Sequence, residues 1–245
     1  MNVLLLEPEE LPADGSAVRI RGRRFEHVRR VLRSEVGDLL RIGVLCGNLG
    51  FGRVVSLGDD HLDLRVDSSA DGETGLHQPP PKPLPLTLVL ALPRPKVLRR
   101  VVSAVATLGV PRVFLINAFR VDKAYWQSPL LGEDALRQAL LLGLEQAVDT
   151  RLPQLHLRRR FKPFVEDELP ALAVGTSGFA LHPAAPAPCP PRIEGPATLA
   201  IGPEGGFLPY EVDKLCAAGF RPVHLGPRIL RVETVLPWVL GRVVP

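Results

Sequence analysis

The sequence predicts an α/β protein in two parts: a small N-terminal β-barrel, then a larger domain built on a mostly parallel sheet. Short alternating apolar and polar segments crowd the first ~70 residues, spaced as small strands are. A polar, glycine-bearing stretch at 68–75 then gives way to Gln78-Pro-Pro-Pro-Lys-Pro-Leu-Pro85, a stiff linker by composition. Beyond it, apolar runs alternate with helical periodicities, the signature of strand–helix units. The expected boundaries are 1–70 for the barrel, 71–85 for the linker and 86–245 for the α/β domain.

In the first part the alternation predicts strands at 17–20, 39–44, 52–56 and 62–66, with a helix over 24–32. In the second, 86–92 is a continuous apolar run, suited to a parallel strand buried on both faces. Apolar residues at 97, 98, 101, 102, 105 and 108, closed by Gly109, predict a helix. Strand 113–116 follows, then a long helix over 130–148 that carries Glu145, a weak strand at 172–175 and a strong one at 198–201. A helix over 210–218 has Pro209 in its first turn and Gly219 past its end. Strand 223–225 and helix 233–243 complete the chain, and no internal repeat is visible.

A hydrophobic content of 46% with 23% charged residues is enough apolar material for a sizeable core. No apolar run reaches the ~18 residues that span a membrane. The opening Met1-Asn-Val-Leu-Leu-Leu-Glu7 lacks the basic start of a signal peptide. Cys46, Cys189 and Cys216 are scattered and without ligand spacing, which fits a reducing cytoplasmic setting and argues against a metal site. The net charge of +4 is unevenly spread: seven arginines against Glu26 lie between Arg19 and Arg33, and a second basic run is Arg158-Arg-Arg-Phe-Lys162. Each run reads either as a solvated face or as a nucleic-acid surface. His27, inside the first run, is a phosphate contact or surface filler on the same terms.

Two glycine-bearing loops near the C-terminus carry the chemistry. Thr198-Leu-Ala-Ile-Gly-Pro-Glu-Gly-Gly-Phe207 and Leu225-Gly-Pro-Arg-Ile-Leu-Arg-Val-Glu-Thr234 each follow a strand and lead into a helix. Glycine allows a sharp turn and close approach of backbone to ligand, and a helix start offers unpaired N–H groups. The pair therefore predicts a small-molecule pocket made largely of main chain. No Gly-Lys-Ser/Thr follows, which disfavours ATP. Glu233 and Thr234 read either as helix caps or as site residues, whereas Arg228 and Arg231 are candidates for holding a phosphate or a polarised carbonyl. Ser-His-Asp order and paired carboxylates are absent, so nucleophilic chemistry has little support.

On these two loops, with Leu108-Gly-Val110, Glu145-Gln146, Arg151-Leu-Pro153 and His27-Val-Arg-Arg-Val-Leu-Arg33, the chain resembles the RsmE-type 16S ribosomal RNA uridine-N3 methyltransferases of the SPOUT superfamily. The resemblance covers nearly the whole chain. It implies a PUA-like β-barrel joined to a SPOUT α/β domain with a deep trefoil knot, homodimerisation and the cofactor S-adenosylmethionine (SAM). It implies a cofactor site of Leu181, His182, Ile201, Gly202, Pro203, Glu204, Gly205, Gly206, Leu225, Gly226, Ile229, Leu230, Arg231 and Thr234. RNA, as 16S rRNA or the small ribosomal subunit, would be gripped by Arg21, Arg23, Arg24, His27, Arg30 and Arg33. Arg231 and Arg120 are the candidates for stabilising a deprotonated uridine, with Glu145 orienting them. Departures from the family pattern are Thr107 in place of a glutamate, Phe119 before Arg120, and Leu208-Pro209 without a Ser or Thr cap. The alternatives are a non-catalytic RNA-binding or ribosome-assembly factor, and a SPOUT methyltransferase with another RNA target.

Overall fold

A computed structural model describes residues 1–13, 15, 17–66 and 75–242. The polar half of the expected linker and the end of the expected last helix, 67–74 and 243–245, lie outside the described residues. The chain divides into two units, Met1–Lys82 with Leu141–Leu152, and Pro83–Leu140 with Pro153–Pro245. The segment 141–152 thus counts with the first unit, although its place in the sequence suggested the second.

The first unit holds a five-stranded mixed sheet in the order β1, β3, β4, β5, β2. Its strands are β1 (Leu4–Leu6), β2 (Val18–Arg21), β3 (Leu39–Val44), β4 (Leu49–Leu57) and β5 (His61–Val66). β1 runs parallel to β3, and the other pairs are antiparallel. The period-2 pattern decides which side chains enter the core: Val18, Ile20, Leu40, Ile42, Val54, Leu62 and Leu64 point inward, joined by Leu4, Leu6, Phe25 and Val28. Among the described strands β1 and β2 are the two edges and do not pair with each other, so the sheet is a half-barrel, consistent with the small β-barrel expected from the spacing. The expected helix at 24–32 is α1 (Gly22–His27) continued by a wider π-turn (Val28–Leu32), and Arg33 at φ 54 ends it.

The second unit is a seven-stranded parallel sheet with helices, in the order β10, β12, β9, β11, β6, β7, β8. Its strands are β6 (Leu86–Ala91), β7 (Arg112–Ile116), β8 (Gln154–Arg158), β9 (Ser177–Leu181), β10 (Ala187–Pro188), β11 (Ala197–Ile201) and β12 (Arg221–His224). β6 and β11 lie side by side near the middle and every residue of both is buried, as an unbroken apolar run requires. α2 (Pro95–Thr107) starts on a proline whose missing N–H costs nothing at a helix start, and it buries Leu98, Val101, Val102, Val105 and Ala106. α3 (Glu133–Ala147) begins in this unit and ends in the other.

A short helical stretch, α4 (Phe161–Pro163) and α5 (Leu169–Leu172) with a π-turn between them, precedes β9. The weak strand expected at 172–175 is the end of that stretch and its turn; the real strand starts at Ser177. The chain closes with α6 (Pro209–Ala217) and α7 (Val232–Leu240), and α7 packs on α2.

Candidate cofactor cleft and the residues around it

β9, β11 and β12 are parallel neighbours, so the loops leaving their C-terminal ends emerge on one side of the sheet. In open α/β sheets that edge is where ligands bind. A cleft opens there, enclosing about 620 Å³ of non-atom space with its solvent mouth included. Leu181, His182, Ile201, Gly202, Pro203, Glu204, Gly206, Leu225, Gly226, Ile229 and Leu230 line it. These come from all three segments that the resemblance named. Gly205, Thr234 and Arg231 do not line it. Pro183, Val223, Arg228, Val232 and Val235 line it as well and were absent from the expected set. Val232 and Val235 are three apart on α7, and that helical spacing was the available signal.

The loop after β11 is held from outside. The Glu204 carboxylate accepts the Arg94 backbone N–H at 3.1 Å and lies 3.9 Å from its guanidinium. The Arg120 guanidinium donates to the Gly205 carbonyl. Gly206 N–H closes the turn on the Pro203 carbonyl at 2.7 Å. Where a Ser or Thr cap is missing, Glu211 supplies the acceptors from inside α6. It is 3% exposed, and its two oxygens take the N–H groups of Leu208 and Phe119, each at 2.8 Å. One carboxylate thereby ties the start of α6 to the segment that carries Phe119 and Arg120.

Both histidines beside the cleft have a settled tautomer. His182 Nδ1 accepts the Ala184 N–H at 3.2 Å and His224 Nδ1 accepts the Gly226 N–H at 3.1 Å. In the neutral ring the proton then sits on Nε2, which makes His182 a donor toward the cleft rather than a base. Arg231 is exposed at the N-cap of α7, immediately after the cleft-lining Leu230.

Glu145 belongs with the first unit, is 2% exposed, and accepts a two-pronged contact from Arg23 at 2.6 and 2.8 Å. Both of its carboxylate oxygens are taken by Arg23.

The arginine-rich segment is largely self-neutralised. Arg19 bonds Asp63 at 2.8 Å, Arg21 bonds Asp60 at 3.1 Å, Arg24 bonds Glu10 at 2.5 Å, and Arg30 bonds Glu26 at 2.7 Å. Arg29 donates to the Asp59 carbonyl. His27 has its Nε2 buried without a partner, and burial pushes its pKa down, so it is a poor phosphate contact. Arg33, exposed, makes no side-chain hydrogen bond or ion pair among the described residues. Among the described residues no group of three or more His, Cys, Asp or Glu is assembled to hold a metal, and no helix is long and apolar enough to cross a membrane.

A parallel α/β sheet with a main-chain cleft at its C-terminal edge defines a small-molecule-binding α/β protein of the enzyme type. The chain belongs to the family described as RNA methyltransferase domain, whose model matches residues 80–244. Among curated relatives, ribosomal RNA small subunit methyltransferase E of Treponema pallidum is 29% identical over 242 residues, 96% of this chain and 87% of that one. A second, ribosomal RNA small subunit methyltransferase E 1 of Borreliella burgdorferi, is 22% identical, covering 96% of this chain and 93% of that one. In fold the chain is similar to ribosomal RNA small subunit methyltransferase E from Neisseria gonorrhoeae bound to S-adenosyl methionine. That likeness has a TM-score of 0.72 at 18% identity and covers 98% of this chain and 95% of the other.

Proposed function

We propose that this chain is a SAM-dependent methyltransferase acting on N3 of a uridine in 16S ribosomal RNA. The observation that carries the reading is the cleft, where the ends of three adjacent parallel strands converge. Leu181, Ile201, Leu225, Ile229 and Leu230 offer apolar walls for an adenine ring, and glycines at 202, 206 and 226 bring backbone to the ligand. When bound, SAM supplies an electrophilic methyl group on a sulfonium. The residues of the chain would do the rest. Uridine N3 must lose its proton before it can attack, and the negative charge then spreads to O2 and O4. Arg231, next after the cleft-lining Leu230, and Arg120, which donates to the Gly205 carbonyl, are the cations assigned here to stabilise that charge. Glu204, the carboxylate that lines the cleft, is engaged by Arg94 and is not assigned as a general base.

The finer parts of the reading follow the family resemblance. They are a homodimer, a cytoplasmic setting with ribosomal RNA as substrate, and a C-terminal knot. The strand order, with β12 lying beyond β9 although it is last in the chain, supports the knot. The test of the arginine assignment is Arg231→Ala. Turnover on small ribosomal subunits is expected to fall by about 10²- to 10³-fold with SAM affinity nearly unchanged. Unchanged turnover would remove Arg231 from the chemistry.

A further inference from the structure

The loops after β7 and β8 leave the parallel sheet on the same edge as those that form the cofactor cleft. The first of them makes a tight turn, Ala118–Val121, closed by the Val121 N–H on the Ala118 carbonyl at 3.0 Å. Ala118 and Val121 are buried, whereas Phe119 and Arg120 occupy the tip. Phe119 is 79% exposed and takes no part in the cleft lining. A lone phenylalanine on a protein surface is ordinary. This one differs in how firmly its backbone is fastened. The Asn117 N–H donates to the Arg158 carbonyl at 2.9 Å, and the Asn117 side-chain oxygen accepts the Trp126 Nε1–H at 2.8 Å. The Phe119 N–H is held by Glu211, and Arg120 donates to the Gly205 carbonyl, between the cleft-lining Glu204 and Gly206.

The loop after β8 brings a second cation to this support. The Arg159 guanidinium lies 5.4 Å from the centre of the Trp126 ring, and Trp126 is the partner of Asn117. A carbonyl and an aromatic ring are neutral partners, so Arg120 and Arg159 keep their charge. The acids of these segments are committed to other groups. Glu168 is held by Arg158 at 2.7 Å, Glu211 accepts the N–H groups of Phe119 and Leu208, and Asp122 accepts the Ala124 N–H at 2.9 Å. An exposed ring on a rigid turn, with two uncompensated guanidinium groups on the same sheet edge, is a binding feature that neither the core nor the cofactor cleft accounts for.

We infer that Phe119 is a stacking platform for an unpaired base of the substrate RNA, with Arg159 on a flanking phosphate. Every base has a flat π-face, and an aromatic ring that is already held in place can take it without a large ordering cost. Phe119 is also a departure from the family pattern, so the platform belongs to this chain in particular. Its task is to hold the strand beside the cleft while the methyl group is transferred. The inference rests on the proposed rRNA substrate and adds to it a residue that binds the strand.

The experiment is steady-state methyl transfer from tritiated SAM to small ribosomal subunits by the full-length protein and its variants. Phe119→Ala keeps the backbone N–H that Glu211 holds, so SAM affinity by calorimetry should equal that of wild type. Its KM for the subunits is expected to rise about 5- to 150-fold with kcat nearly unchanged. Phe119→Tyr, which keeps the ring, should restore most of the loss, whereas Phe119→Leu, apolar but without a ring, should not. Arg159→Ala is expected to lower the slope of log kcat/KM against log salt by about 0.7. A KM indifferent to Phe119→Ala would overturn the inference, as would equal rescue by Leu and Tyr. So would a change in oligomeric state of Phe119→Ala by light scattering, which would make the ring a protein contact. If wild type methylates the subunits while Phe119→Ala matches it, the inference fails alone. If wild type transfers no methyl to any RNA, the functional reading fails with it.

Discussion

Gly202 has no room for a side chain. A Cβ there would lie 3.0 Å from the Phe207 nitrogen and 3.2 Å from Cδ2 of its ring, and Phe207 is itself fully buried. Gly202→Ala is expected to push the loop after β11 into the cleft and weaken SAM binding about 5- to 150-fold, matching the ~1–3 kcal/mol of an overpacked site. Isothermal calorimetry measures this, and unchanged affinity would mean the ligand does not sit on this loop. Gly226 needs its lack of Cβ for another reason, since its φ of +113 is one that side chains rarely tolerate. Asp63 makes a prediction about pH. The Arg19 guanidinium, and after it the Ser56 hydroxyl, hold its carboxyl down at about 2 from an ordinary 3.8. A depressed carboxyl contributes stability that is fully present above the unfolded value and is lost as pH falls through the folded one. The urea midpoint of Asp63→Asn should therefore lie below that of the parent at pH 7, with the gap closing between about pH 4 and pH 2. A gap independent of pH would contradict the pairing.

The end of α3 meets the first unit through the Arg23–Glu145 pair and through Asn2 and Val3, whose N–H groups donate to the Glu145 carbonyl. Glu145 is enclosed while the side chain of Arg23 is 42% exposed, so the two halves of the pair are unequal. Arg23→Ala strands a buried carboxylate and is expected to cost about 2–4 kcal/mol, somewhat below a fully enclosed pair. Glu145→Gln leaves a neutral acceptor and should cost less. Chemical denaturation of both variants decides the order, and the reverse order would show that Arg23 is held by something other than Glu145. The same contact explains what the sequence could and could not reveal. Counting arginines between 19 and 33 is a local operation, but their partners Glu10, Asp60, Asp63 and Glu145 lie up to 122 residues away, so the ion pairs of that segment could not be read from it. Helices and central strands were legible because their periodicity is local. β1 was not, because Leu4-Leu-Leu6 has no alternation, and β8 was hidden by half-buried polar positions. β10, two exposed residues long, has no pattern to read.

The cleft was legible because glycine loops carry their conformational demand in their own residues. Neighbouring strands also bring three such segments together wherever the sheet order is β12, β9, β11. A member of the RNA methyltransferase family with such a cleft should move a methyl group from SAM to RNA. The direct measurement is transfer of label from tritiated SAM to small ribosomal subunits, naked 16S RNA and transfer RNA, with the product nucleoside identified by mass spectrometry. The account predicts 3-methyluridine in 16S RNA and no label in transfer RNA. Label in a different nucleoside would contradict the assigned target, and SAM binding with no transfer to any RNA would contradict the enzyme itself.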